Sequence, residues 1–121
     1  MRTYLLKNPY KIKEVVAKLN LIDTGEAWGS DTKQRIVKNG EVPSRFLIAK
    51  EEAQVIGWCA RFKDKQTHLF IHKKKRRKGY GSRLLQRMAK ESGLCKVIPW
   101  DAQARQFFNC HLGKKIKDLY A

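Results

Sequence analysis

The segment from Leu69 to Leu85, read Leu-Phe-Ile-His-Lys-Lys-Lys-Arg-Arg-Lys-Gly-Tyr-Gly-Ser-Arg-Leu-Leu, holds the residue types best able to do chemistry. An apolar run that reads as strand passes into six consecutive basic residues, Lys73 to Lys78, and then into Gly79-Tyr80-Gly81 at the head of a helical pattern. The first N–H groups of a helix have no internal acceptor, and the aligned peptide dipoles add partial positive charge there. Glycine at 79 and 81 lets the main chain take unusual dihedrals and approach a ligand closely. A pyrophosphate set against those N–H groups would be held mainly by main chain, with Arg76, Arg77 and Lys78 adding charge. The other nucleotide loops fit poorly, because there is no Gly-Lys-Ser/Thr and no third glycine.

The whole chain supports this weighting. It has 121 residues, 27 Lys+Arg against 11 Asp+Glu, and a formal net charge of +16. Residues 61–90 alone carry twelve basic side chains and one acidic one, Asp64. A charge run of this kind is often a solvated face or a nuclear address. This one is interior and flanked at once by glycines and an amphipathic pattern, which favours a turn built around an anion. The 42% apolar share is enough for a core, and the length predicts a single domain over 1–121. No apolar run approaches a membrane span, and the start breaks its apolar piece too early for a secretory signal. A soluble cytoplasmic protein with no membrane partner is expected.

The elements that must position the basic turn follow from periodicity. A first helix opens at Asn8-Pro9, with Asn8 as N-cap and Ile12, Val15, Val16 and Leu19 on one face. After the polar stretch 21–32 comes a short helix to Lys38, with Asp31 and Gln34 resembling a capping box and Asn39-Gly40 as the stop. Phe46 to Ala49 and Val55 to Phe62 read as strands joined across 50–54, and Thr67 to Ile71 as a third. From Gly79 to Ser92 the period is helical, with Leu84, Leu85, Met88 and Ala89 inside. Lys96 to Pro99 is a short strand, Asp101 caps a last helix ending at Gly113, and 114–121 could add one more strand. The order β-α-α-β-β-β-α-β-α implies an α+β domain with a central mixed β-sheet flanked by helices.

With these elements in place, Arg76-x-x-Gly79-x-Gly81 after an apolar strand, followed by Leu84-Leu85, resembles the acyl-CoA pyrophosphate loop of the GNAT superfamily of N-acetyltransferases. Ile71, His72, Arg76, Lys78, Gly79 and Gly81 fall into the family's register. Asp101-Ala102-Gln103-Ala104-Arg105-Gln106-Phe107-Phe108 and Gly113 echo its second feature, Asn-x-x-Ala-x-x-aromatic-Tyr and a glycine. The element order is similar too, over nearly the whole chain. Three departures stand out. Asp101 replaces the common Asn, and Phe108 replaces the Tyr that protonates the leaving thiolate in many members. The sequence also stops about where the family's last hairpin would begin, a gap that a second copy in a homodimer could fill.

The resemblance implies an acetyl-CoA-dependent transfer to a primary amine, without a metal. Its donor site would comprise Ile71, Arg76, Arg77, Lys78, Gly79, Tyr80, Gly81 and Ser82, with Asp101 and Phe108 on the last helix. Acetyl-CoA would wedge between the 67–71 and 96–99 strands, and the N–H near Ile71 would polarise the thioester carbonyl. Direct attack by the amine needs no protein nucleophile, so Cys59, Cys95 and Cys110 need not be catalytic. His68 is the candidate general base, being the imidazole in the strand beside the thioester; a strand histidine also commonly packs or hydrogen-bonds. Tyr120 and Cys110 are alternatives for the missing acid, with nothing in their spacing to select either.

The acceptor in this family lies near the segment between the first two helices. Here that stretch holds Asp23, Glu26 and Asp31 with no basic residue. Glu26 and Trp28 would then form an acidic, aromatic wall for a cationic amine; the alternative makes the acids caps and Trp28 core. The three cysteines are widely spaced and form no Cys-x-x-Cys pair, which predicts free thiols and no structural metal. A competing reading takes the surplus charge of 73–78 as a binding surface for nucleic acid or an acidic protein, on a domain that binds CoA with little or no catalysis.

Overall fold

A computed structural model describes residues 1–18, 32, 34–99 and 101–119. Strand β1 (Arg2–Leu6) leads into helix α1 (Pro9–Lys18), and a π-helical turn (Gln34–Lys38) precedes β2 (Arg45–Glu51), β3 (Gln54–Arg61) and β4 (Thr67–Ile71). A 3-10 turn (Lys73–Lys75) then opens into helix α2 (Tyr80–Ser92), followed by β5 (Cys95–Val97), helix α3 (Ala102–Asn109) and β6 (Ile116–Asp118).

The sequence order of elements is thus the observed one, in a mixed α+β fold. Strands β1 to β4 form a four-stranded antiparallel sheet in sequential order, while β5 and β6 pair in parallel. A single parallel bridge, Gln66 to Lys96, joins β4 to β5. The mixed character of the sheet resides there.

Alternation along the strands separates two cores. Leu47, Ala49, Cys59 and Ile71 face α2 and α3, meeting Leu84, Leu85, Met88, Ala89 and Phe108. Phe46, Ile48, Trp58, Ala60 and Phe70 face the other way, onto Ile12 and Val16 of α1 and Ile36. The four apolar positions expected on the inner face of α2 are all buried. Burying a side chain such as Leu84 contributes about 1.5–3 kcal/mol, which fixes the helix against the sheet.

Helix α1 starts as its sequence dictates. The Asn8 side chain accepts from the Tyr10 and Lys11 N–H groups at 2.9 and 3.2 Å, with Pro9 at the first helical position. Other boundaries differ from expectation. The β2–β3 connection is two residues, with Glu52 at φ 58, where a five-residue turn was expected; Glu52 takes the left-handed conformation without a glycine to signal it. The segment before Gly40 is one π-helical turn, closed by Asn39 N–H to the Gln34 carbonyl at 3.1 Å, while Asp31 and Leu19 lie outside the described residues. Helix α3 stops at Asn109, four residues before Gly113, because Gly113 instead donates to the Ile116 carbonyl at 2.9 Å at the start of β6.

One irregularity positions the site. The β2–β3 register shifts at Ala49/Lys50, so that Ile56 is an extra residue on β3 and lies on the same face as Cys59, whereas Val55 packs on the other. The bulge delivers the Ile56 carbonyl to the His72 N–H at 2.7 Å, where β4 ends and the basic turn begins.

Candidate active site

Helix α2 begins as the basic turn implied. Gly79 is its N-cap in the left-handed conformation, φ 78 and ψ 6, and no side chain caps the helix. A residue with a Cβ would be strained there. The N–H groups of the first turn, from Tyr80, Gly81 and Ser82, therefore face outward without a side-chain acceptor, beside Arg77, also at positive φ, and Lys78.

The turn is held by side chains of its own and by one from β2. His72 caps the 3-10 turn, its Nδ1 accepting from Lys74 N–H at 3.3 Å. Arg76 Nε donates to the Ile71 carbonyl at 2.8 Å, and its guanidinium lies 5.7 Å from the Phe70 ring centre. Glu51, at the end of β2, accepts from Lys75 Nζ at 2.7 Å and from the Tyr80 hydroxyl. Those two donors, Lys75 first, hold the Glu51 carboxyl down at about 2, well below the usual carboxylate range. The same contacts raise the Lys75 and Tyr80 values.

Beside this turn lies a cavity of about 480 Å³. Its walls are Leu69, Phe70 and Ile71 of β4, Lys75 to Arg77 and Gly79 to Ser82 of the turn, and Asp101, Ala104, Phe107 and Phe108 at α3. Gly81 lies against Phe107 of α3 and Leu69 of β4. A Cβ on it would sit 3.3 Å from Phe107 and 3.5 Å from Leu69, so this glycine serves packing as well as ligand approach. Asp101 caps α3, accepting from Ala104 N–H at 2.7 Å. Ser82 Oγ is 3.0 Å from His111 Nε2, tying the first turn of α2 to the end of α3.

The β4 backbone completes the wall. Phe62 N–H donates to the Gln66 carbonyl at 2.9 Å, and His72 N–H to the Ile56 carbonyl at 2.7 Å. In an antiparallel ladder bonded residues alternate, so Gln66, His68, Phe70 and His72 turn their main-chain groups toward β3. Leu69 and Ile71 turn theirs away, into the gap on the β5 side. Lys96 N–H donates to the Lys65 carbonyl at 2.8 Å across the foot of that gap, and strand pairing ends at the Gln66–Lys96 bridge. The two strands thus diverge beside the Ile71 N–H, which has no acceptor among the described residues.

Most of the residues expected at a donor site share this cavity: Ile71, Arg76, Arg77, Gly79, Tyr80, Gly81, Ser82, Asp101 and Phe108 all line it, with Lys78 adjacent in the chain. Phe108 is buried and has no hydroxyl. His68 stands elsewhere. Its side chain is 3% exposed, faces the α1 side of the sheet, shares a hydrogen bond with Thr32 Oγ1 at 2.8 Å and packs edge-on against Phe62. Glu26, Trp28 and Tyr120 lie outside the described residues.

Cys59 and Cys95 are buried, which pushes both thiols up, and Cys110 is exposed. Among the described residues no group of three His, Cys, Asp or Glu side chains could hold a metal ion, and no helix is long and apolar enough to cross a membrane.

A family model described as the acetyltransferase (GNAT) domain matches residues 43–113, from the approach to β2 through the end of α3. The chain belongs to this family. The match covers every element around the cavity, and acetyl transfer is the chemistry of the family. Among solved structures, a ribosomal-protein-alanine N-acetyltransferase from Brucella melitensis biovar Abortus 2308 is similar in fold at 14% identity. That match covers 93% of this chain and 92% of the other, with a TM-score of 0.50. An N-acetyltransferase from Staphylococcus aureus Mu50 is 15% identical over 75% of this chain and 66% of that one, with a TM-score of 0.40. No curated protein matches the chain significantly.

Sequence reasoning passed over Glu51. The signal available was its parity with Leu47 and Ala49, which places it on the α2 face at the strand tip nearest the basic turn.

Proposed function

We propose that this GNAT domain transfers an acetyl group from acetyl-CoA directly to a primary amine, on a small molecule or on a protein. The observation that carries the reading is the coincidence along one cavity of a helix N-terminus without a side-chain cap, a basic turn, and an Ile71 N–H directed away from β3. The residues suit the donor: main-chain N–H groups for a diphosphate, and apolar cavity walls at Leu69, Ile71, Phe107 and Phe108 for a slim chain. Acetyl-CoA supplies an activated acyl carbon and a thiolate leaving group.

The first-turn N–H groups of α2, with Arg77 and Lys78, hold the diphosphate. The Ile71 N–H donates to the acyl oxygen as negative charge develops there. Phe107 and Phe108 give the cavity an apolar wall. The amine's proton must end on the departing sulfur, and Phe108 has none to relay, so water carries it. For an acceptor that enters as an ammonium and reaches the strand gap from the α1 side, His68 is the proposed base for the extra proton lost before attack, which then passes to solvent. Glu26 and Trp28 are proposed for the acceptor's wall. The test is incubation with isotopically labelled acetyl-CoA and a panel of amines and peptides, followed by mass spectrometry. Labelled amide product dependent on the protein supports the reading; donor binding without product on any amine contradicts catalysis.

Lys73 and Lys74 are exposed and do not line the cavity, which favours a second reading alongside the first. In it these lysines bind nucleic acid or an acidic protein. Neutralising Lys73 and Lys74 should then weaken that binding and leave acetyl-CoA affinity nearly unchanged.

A further inference from the structure

We propose that Glu51 is a positioning residue for the diphosphate turn: by binding Lys75 and Tyr80 through its two carboxylate oxygens, it fixes the first turn of α2 in the geometry that receives the donor's phosphates. The proposal rests on the acetyl-CoA reading above and assigns a residue that does not itself line the cavity.

The argument starts from what the turn must overcome. Six adjacent cations repel one another, and two residues, Arg77 and Gly79, sit at positive φ, at 65 and 78. His72 and Arg76 brace the turn from within, at the Lys74 N–H and the Ile71 carbonyl, against the cost of repulsion and of the positive φ at Arg77. Glu51 reaches it from the other end of the molecule's logic, the tip of the β2–β3 hairpin, where the tight turn at Glu52 ends the strand. One oxygen takes Lys75 Nζ at 2.7 Å, inside the 3-10 turn, and the other takes the Tyr80 hydroxyl, on the first residue of α2. Both partners line the cavity. The two contacts therefore bracket Arg76 to Gly79, the stretch that contains both positive-φ residues.

The charge of Glu51 makes the idea testable by sign. A carboxylate close to an anion site opposes a diphosphate by simple Coulomb repulsion. If Glu51 acted only as a charge, its removal would tighten donor binding. If it positions the turn, removal weakens binding, because the ligand must then order the segment at its own expense.

The experiment compares wild type with Glu51→Ala and Glu51→Gln by calorimetric titration of acetyl-CoA, and by amide exchange of residues 76–83 without ligand. Thermal melting serves as the folding control. Glu51→Ala is expected to weaken acetyl-CoA by about tenfold and to speed exchange of the turn. Glu51→Gln, which keeps a partner for Tyr80 and loses the ion pair with Lys75, should recover part of both losses. Equal or tighter binding by folded Glu51→Ala, with exchange unchanged, overturns the proposal. Should the alanine variant not fold, the glutamine variant decides on the same two readouts. Should wild type fail to bind acetyl-CoA, the functional reading fails, while exchange in the ligand-free protein still decides whether Glu51 orders the turn.

Discussion

The two faces of the antiparallel sheet are made of different material. On the α2 side the sheet offers small or aliphatic residues, Ala49, Leu47 and Cys59, and the polar work is done by main chain: helix N–H groups and the Ile71 N–H. On the α1 side it offers a stack of rings, Phe46 to Trp58 at 6.1 Å and Trp58 to Phe70 at 5.7 Å, with the His68–Thr32 pair beside them. That face also holds the Trp58 indole N–H, buried with no acceptor among the described residues. A site made of main chain depends on backbone placement, so its sensitive positions are glycines. A face made of packed rings and one polar pair depends on side-chain volume and hydrogen bonding.

The largest effect that would sharpen this contrast is expected at Gly57. A Cβ there would lie 2.4 Å from the Phe70 carbonyl oxygen and 2.7 Å from Ile71 Cδ1. Gly57→Val should cost at least about 3 kcal/mol and abolish donor binding, since β3 and β4 must part. A chemical denaturation midpoint near that of wild type would contradict the close approach.

His68→Ala tests the other face. Losing a buried imidazole and its bond to Thr32 should lower stability by about 2 kcal/mol while leaving the acetyl-CoA dissociation constant unchanged. A large change in that constant would show that the faces are coupled.

Asp101→Ala removes a helix cap at the rim of the cavity and should lower stability by about 1 kcal/mol, read by thermal melting. Loss of donor binding far beyond that stability change would give Asp101 a direct contact with the ligand instead.

The smallest effect is a pH dependence. Glu51 is depressed from 4.5 to about 2, so its ion pair contributes fully above pH 4.5 and is lost as pH falls from 4.5 through about 2. The melting-temperature gap between wild type and Glu51→Gln should close over that window. A constant gap would contradict the carboxylate's pairing.

The contrast also explains what could be read in the chain. Periodicity and caps gave the elements, and Arg76, Gly79 and Gly81 marked the turn that opens α2 beside the cavity, because a helix start without a side-chain cap favours glycine at set positions. Glu51 was missed because its partners are 24 and 29 residues away, joined only by the hairpin and the bulge. The orientation of His68 was likewise not legible, since strand parity cannot be assigned to a face until the ladder is known. The hairpin turn was overestimated because Glu52 adopts a conformation that its residue type does not advertise.

The most direct test of the central claim is calorimetric titration of acetyl-CoA at low and high salt, with Gly81→Trp alongside. The account predicts binding on the order of micromolar that survives the higher salt and vanishes in the variant, whose indole cannot fit against Phe107 and Leu69 and would enter the cavity. Weak binding that salt removes and Gly81→Trp retains would contradict it, and would make the basic turn a general polyanion surface.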